Sequence, residues 1–325
     1  MLPAVHIHGI VTQLSREAVD SCEVGTVGVA TEPITIALAA DEAYARQLAV
    51  TIAGISRHTA GRPHRIFVLN DGYEPALAHQ VARSAGADVE LRWIDAHSAD
   101  LDDALLPEYL PPATLYRLRL EELLPATVER VVYIDTDVVV RDSLAPLWDR
   151  DLDGAHLGAV RDPVHPWVAS RDSLDWRRFG LAPDLPYFNA GMMVVALDSW
   201  RADGLGARAL GLMGTHRFRY GDQCALNIAV AGKWMQLDPR WNLQSGHETK
   251  DSLAWVIEPT AALEDALRAP AVIHYTSLHD RLKPWQPGST CPHRDLWFED
   301  LDRTAWAGWR PQPDVVGARN DALLR

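Results

Sequence analysis

Two aspartates stand between apolar runs in Val131-Val-Tyr-Ile-Asp-Thr-Asp-Val-Val-Val140. In an extended chain, residues i and i+2 point the same way. The carboxylates of Asp135 and Asp137 then converge on one point just past a buried strand. Such a pair repels itself unless something positive lies between its members. Hard divalent cations with oxygen ligands suit that role. Turns also use Asp-x-Asp freely, but a turn has no reason to sit between two apolar runs.

The elements that must position this pair read as strand alternating with helix. Ile34–Ala39 is a continuous apolar run, as for a strand buried on both faces. Residues 41–58 have helical periodicity, with Asp41 as N-cap. Residues 65–70 form the next strand and end in an Asn-Asp-Gly turn. Residues 75–85 read as helix, 89–94 as strand, 113–125 as helix stopped by Pro125, and 131–140 as a strand followed by a second apolar piece. This alternation predicts a mainly parallel sheet covered on both faces. Ligands bind such sheets beyond the carboxyl ends of the strands, where Asp41, Asn70 and Asp135 lie. The second half is less regular: a strand running into a helix at 191–200, a buried helix at 222–231 and a strand at 270–277. Residues 1–32 read as an N-terminal appendage, 33–288 as the catalytic domain and 289–325 as a C-terminal helical tail. In the appendage, His6 and His8 alternate on one face of a short strand, as metal ligands or as solvated edge residues.

The chain has 325 residues, 47% of them hydrophobic and 23% charged, and a net charge of −13. This is a globular composition, and its acidity argues against nucleic acid as a partner. Three widely spaced cysteines (Cys22, Cys224 and Cys291) form no CxxC pair, which fits a reducing, cytoplasmic compartment. No apolar stretch is long enough for a transmembrane segment, and residues 1–20 do not read as a secretory signal. Two other chemistries fit less well. Haloacid-dehalogenase-like phosphatases also deliver Asp-x-Asp from an apolar strand, Asp135 then being nucleophile and Asp137 acid. That motif opens its domain, however, whereas three strands precede it here, and Leu226 stands where a later Asp is needed. A dinucleotide-binding turn would need a strand before Gly204-Leu-Gly206, and a helical stretch precedes it instead.

The ordered motifs resemble glycosyltransferase family 8, particularly the bacterial α-galactosyl- and α-glucosyltransferases of lipopolysaccharide cores. They are IALAADEAYA (36–45), TLYRLRLEELLP (114–125), YIDTDVVVRDSLAPLWD (133–149), YFNAGMMVVALDSWR (187–201), YGDQCALN (220–227) and HYTS…LKPW (274–285). The resemblance implies the α/β GT-A fold, a mixed and mainly parallel sheet flanked by helices. It implies retaining transfer of a hexose, glucose or galactose, from a UDP-sugar to a glycan or small-molecule acceptor. Asp135, Asp137 and His274 would hold Mn2+, with Mg2+ as the other candidate ion. Ala39, Ala40, Asp41, Tyr44 and Thr136 would line the nucleotide, with Tyr44 stacking on uracil, and Lys283 would meet the diphosphate. Arg117, Asn189, Asp222 and Gln223 would surround the donor sugar, and Asp162 would face the acceptor.

Each residue also has an ordinary structural alternative. Arg117 lies four before Glu121 and would suit a surface helix pair. Tyr44 and His274 would suit a core, and Asn189 a turn. Lys283 stands out as one of three lysines against 28 arginines. Two features depart from the family pattern. Cys224 replaces an Asp considered there as a nucleophile, which leaves open a site that binds a nucleotide sugar without turning it over. The link between His274 and Lys283 is longer than usual, with Ser277 near the place of a Gly.

Overall fold

The computed structural model describes residues 32–97, 111–170, 174–276 and 283–312. The expected strand with His6 and His8, and Ser277 in the link before Lys283, lie outside the described residues.

Among the described residues, ten strands make two sheets: β1 Ile34–Ala39, β2 His64–Asn70, β3 Val89–Asp95, β4 Arg130–Ile134, β5 Val138–Val140, β6 Leu157–Arg161, β7 Phe188–Ala196, β8 Trp234–Gln236, β9 Leu243–Gln244 and β10 Val272–His274. The main sheet has the order β3-β2-β1-β4-β7-β6-β8. Its first four strands run parallel, β7 runs antiparallel to both β4 and β6, and β6 pairs parallel with β8. Period-2 alternation sends Ile34, Ile36 and Leu38 into one core and Ala37 and Ala39 into the other. The first core lies under the helix Ala45–Arg57. The second lies under the helices Leu205–Thr215 and Gly221–Val230. Burial on both faces is why these strands read as unbroken apolar runs.

The three-stranded sheet β5-β10-β9 stands apart from the main one. The run 131–140 is therefore two strands in two sheets. Asp135, Thr136 and Asp137 form the link between them rather than part of one extended strand. Hydrogen bonds pin both ends of this link. Asp135 N–H donates to Gly191 O (2.8 Å), and Asp137 O accepts from Tyr275 N–H (3.0 Å). The carboxylates converge because the two sheets hold the link, and not because of strand pleating.

The expected helix 113–125 is also corrected. Pro112–Arg119 is a 3-10 helix followed by a single α-turn, Leu120–Leu123. It packs against the helix Leu205–Thr215 so closely that a Cβ on Gly206 would overlap the Leu118 carbonyl oxygen. Gly206→Ala must push that backbone aside, so it is expected to lower stability by about 1–3 kcal/mol. Urea unfolding would check this, and an unchanged midpoint would show that the two segments separate freely.

The helix Arg294–Leu301 in the C-terminal segment packs against Ala45–Arg57 and β5. Arg57 donates to the buried carboxylate of Asp300 (2.5 Å) across that contact. Among the described residues, no helix is long and apolar enough to cross a membrane.

Candidate active site

The link after β4 and the end of β10 meet at the top of the main sheet. β10 pairs with β5 so that His274 lies opposite Val138, next to Asp137. Its Nε2 is 3.1 Å from Asp137 Oδ1 and 3.9 Å from Asp135 Oδ2. One ligand atom from each of the three residues lies within 4.8 Å of the others. Two hard carboxylate oxygens and one imidazole nitrogen are a donor set suited to a divalent cation. Gly191, on the neighbouring strand, keeps the space between them open: a Cβ there would overlap the His274 ring and sit 2.9 Å from Asp135 Oδ2.

The surrounding charges balance the carboxylates. Lys283 Nζ pairs with Asp137 Oδ2. Burial alone would raise the Asp137 pKa, but Lys283 and then His274 outweigh it and hold the carboxyl far below its ordinary value. Asp135 accepts from Tyr133 Oη (2.9 Å) and lies 3.1 Å from Arg117 Nη2.

Arg117 is not a surface partner of Glu121. It is buried, with Nε 2.8 Å from Asp222 Oδ2 and Nη1 donating to Ala190 O (2.8 Å). It therefore bridges the metal-motif carboxylate Asp135 and the helix carboxylate Asp222. Glu121 instead accepts from the N–H groups of Gly206 and Ala207. Burial pushes the Asp222 carboxyl up to about 6 despite Arg117.

The helix Gly221–Val230 is fastened to the start of β7 by two amides at i and i+4. Gln223 Oε1 accepts from Ala190 N–H (3.1 Å), and Asn227 bonds both N–H and C=O of Phe188. Gln223 Nε2 donates to Asp162 Oδ2 (3.3 Å). The sulfur of Cys224 is fully buried, 3.1 Å from Tyr187 Oη, and burial pushes the thiol up to about 11.

At the end of β1, Asp41 caps the next turn through Tyr44 N–H (3.1 Å), and Tyr73 Oη donates to Asp41 O (2.5 Å). Thr136 Oγ1 donates to Ala39 O (3.4 Å), tying the end of β1 to the Asp-x-Asp link. Ala40 is buried beneath this edge. The ring of Tyr44 meets Trp285 edge-on at 6.0 Å, and Lys283 Nζ lies 5.7 Å from that indole. Asp162 and Asn189 are buried and hydrogen-bonded to each other (3.3 Å).

Every proposed residue thus lies around this one place. Tyr133, at the head of the Asp-x-Asp motif, joins them through Asp135 two residues on. Asn242 and Gln244 also lie here and carried no sequence signal: each is an ordinary residue type at a core position, and only partners on distant segments give it a part.

The family described as Glycosyl transferase family 8 matches residues 35–288. General stress protein A of Bacillus subtilis (strain 168) is 24% identical over 285 residues, covering 85% of this chain and 95% of that protein. Lipopolysaccharide 1,2-glucosyltransferase of Escherichia coli (strain K12) is 24% identical over 86% of this chain and 81% of its own length. Among solved structures, the galactosyltransferase LgtC in complex with donor and acceptor sugar analogs superposes with a TM-score of 0.67 at 27% identity, over 83% of this chain and 96% of that one. The sheet order and flanking helices are those of the GT-A fold. The chain belongs to glycosyltransferase family 8.

Proposed function

We propose that this enzyme transfers a hexose, glucose or galactose before N-acetylated sugars, from a UDP-sugar to a hydroxyl acceptor with retention of the α-configuration. The observation that carries this is the convergence of Asp135, Asp137 and His274 beside Lys283 and Arg117. These three residues would hold a divalent cation, Mn2+ before Mg2+ because of the nitrogen ligand. When bound, such an ion offsets charge developing on the diphosphate leaving group. Lys283 supplies a second cation there once it exchanges Asp137 for a phosphate oxygen. Asp41 and Tyr44 define the nucleoside edge, with Tyr44 presenting its ring to uracil.

At the reacting carbon, the chain offers little to attack with. One lone pair of the Gln223 carbonyl oxygen is used by Ala190 N–H, and its amide is a weak nucleophile. The Asp222 carboxylate is held by Arg117. The Cys224 thiol is fully buried, 3.1 Å from Tyr187 Oη, and burial keeps it protonated and a poor nucleophile. A front-face displacement follows, in which the departing β-phosphate oxygen takes the acceptor's proton and Gln223 and Asp162 orient the reactants. Cys224→Ala is then expected to keep most of its turnover, and Gln223→Ala to lose about 100-fold, as for one oriented polar group. A glycosyl adduct on Cys224, found by mass spectrometry during turnover, would reverse this assignment.

The direct test of the function is UDP release across a panel of UDP-sugars with Mn2+, beside GDP- and dTDP-sugars. Release from UDP-glucose or UDP-galactose supports the reading. Binding of GDP- or dTDP-sugars without any UDP binding in calorimetry would reject it.

A further inference from the structure

His274 is held from behind by a chain of buried amides. Its Nδ1 lies 3.0 Å from Asn242 Oδ1. Asn242 Nδ2 donates to Asn189 Oδ1 (2.9 Å), which also accepts from Gly191 N–H (3.0 Å). Asn189 Nδ2 donates to Asp162 Oδ2 (3.3 Å) and Gln244 Oε1 (3.2 Å). The direction of every bond follows from this pattern. Asp162 and a backbone N–H fix which end of Asn189 is oxygen, Asn189 then fixes Asn242, and Asn242 presents an acceptor to His274. The hydrogen of the imidazole is thereby drawn to Nδ1, and Nε2 is the nitrogen left facing Asp135 and Asp137. Asn242 is fully buried, at the end of a short 3-10 turn (Pro239–Asn242) just before β9, so it cannot itself touch a substrate.

We infer that Asn242 is a positioning residue for the metal centre: it sets the tautomer and ring orientation of His274, through a relay that runs on to Asp162. This rests on the reading of Asp135, Asp137 and His274 as metal ligands. Outer partners of ligating histidines typically contribute 10- to 100-fold in metal affinity. No feature of the sequence around Asn242 announces the role. It arises because the turn before β9 places Asn242 against both β10 and β7, in the gap between the two sheets.

Two substitutions separate positioning from packing. Asn242→Leu matches the volume but removes the acceptor. Asn242→Asp keeps an acceptor oxygen for Nδ1, yet buries a charge and turns a second acceptor toward Asn189 Oδ1. The measurement is a Mn2+ titration followed by electron paramagnetic resonance with saturating UDP, beside thermal unfolding of each protein without metal. Asn242→Leu is expected to bind Mn2+ about 10- to 100-fold more weakly, and Asn242→Asp within a few-fold of wild type. In thermal unfolding the order reverses, with Asp the less stable. A mere packing role predicts one order in both measurements, so Asp binding Mn2+ more weakly than Leu would overturn the inference. So would wild-type affinity in Asn242→Leu. If the wild-type chain takes up no Mn2+, and Asp137→Asn behaves identically, the metal reading itself falls and takes this inference with it.

Discussion

Asp137→Asn is expected to reduce sugar transfer by about 1,000-fold or more, equivalent to roughly 4 kcal/mol of transition-state stabilisation. The substitution keeps shape and removes charge at the point where three groups meet. One oxygen faces His274 Nε2 at 3.1 Å and the other holds the Lys283 ammonium. An amide there offers a poor ligand to a cation and leaves Lys283 without its counter-charge. The fold should survive, because the backbone bonds that pin the link, Asp135 N–H to Gly191 O and Tyr275 N–H to Asp137 O, do not involve the side chain. The stability change has a definite pH dependence. The carboxyl of Asp137 is held far below its ordinary value, burial opposing and Lys283 with His274 prevailing. A depressed carboxylate pKa stabilises the folded state above the unfolded value, near 3.9, and that gain is lost as pH falls toward the folded value. The metal-free wild type should therefore exceed the variant in unfolding free energy at neutral pH, and the gap should begin to narrow below about pH 4 and keep narrowing as pH falls. An equal loss at all pH values would mean that the charge plays no part. Unchanged transfer would remove Asp137 from the site.

Gly191→Ala is the second large effect, and it comes from a residue with no chemistry of its own. Gly191 lies within β7 at an ordinary backbone angle, so its absent side chain matters for space and not for conformational freedom. A methyl group would overlap the imidazole of His274, 2.7 Å from Nδ1, and crowd the Asp135 carboxylate. The β7 backbone cannot retreat, because Gly191 O accepts from Asp135 N–H and its own N–H donates to Asn189 Oδ1. The ring must move instead, breaking its contact with Asn242 or Asp137. Overpacking of this kind costs about 1–3 kcal/mol of stability. The larger consequence is expected in activity, a loss of about 100-fold or more, since displacing catalytic groups by about 1 Å is enough for that. Transfer assays paired with circular dichroism would show a folded but nearly inactive enzyme. Full activity would mean that the space beside His274 is not used.

The parallel half of the sheet was legible because its physics is local. Strands β1, β2 and β4 are buried on both faces over most of their length, so Ile34–Ala39 and residues 66–69 and 131–134 read as largely apolar runs. Asp135 and Asp137 were legible for the same reason, as charges that no turn explains between two such runs. Where the pattern is shared by two conformations, it misled. The leucines of residues 113–125 recur as they would on an α-helix, yet the segment turns as a 3-10 helix. Its path is set by contact with the Gly206 helix and by burial of Arg117 toward Asp135 and Asp222. The spacing of Arg117 and Glu121, four apart, also suited a surface pair, the lesser of its two readings; their partners lie on other elements.

Tertiary structure alone decided how the site closes. Periodicity carries no information on whether β5 continues β4 or crosses to another sheet, because both choices bury the same valines. The crossing brings His274 opposite Val138 and turns two aspartates of a link toward one point. Asn242 shows the limit most plainly. An asparagine in a chain has two donors and two acceptors and no preference among partners. It becomes a relay between Asn189 and His274 only when three segments far apart in sequence are packed so tightly that each buried polar atom must find its complement.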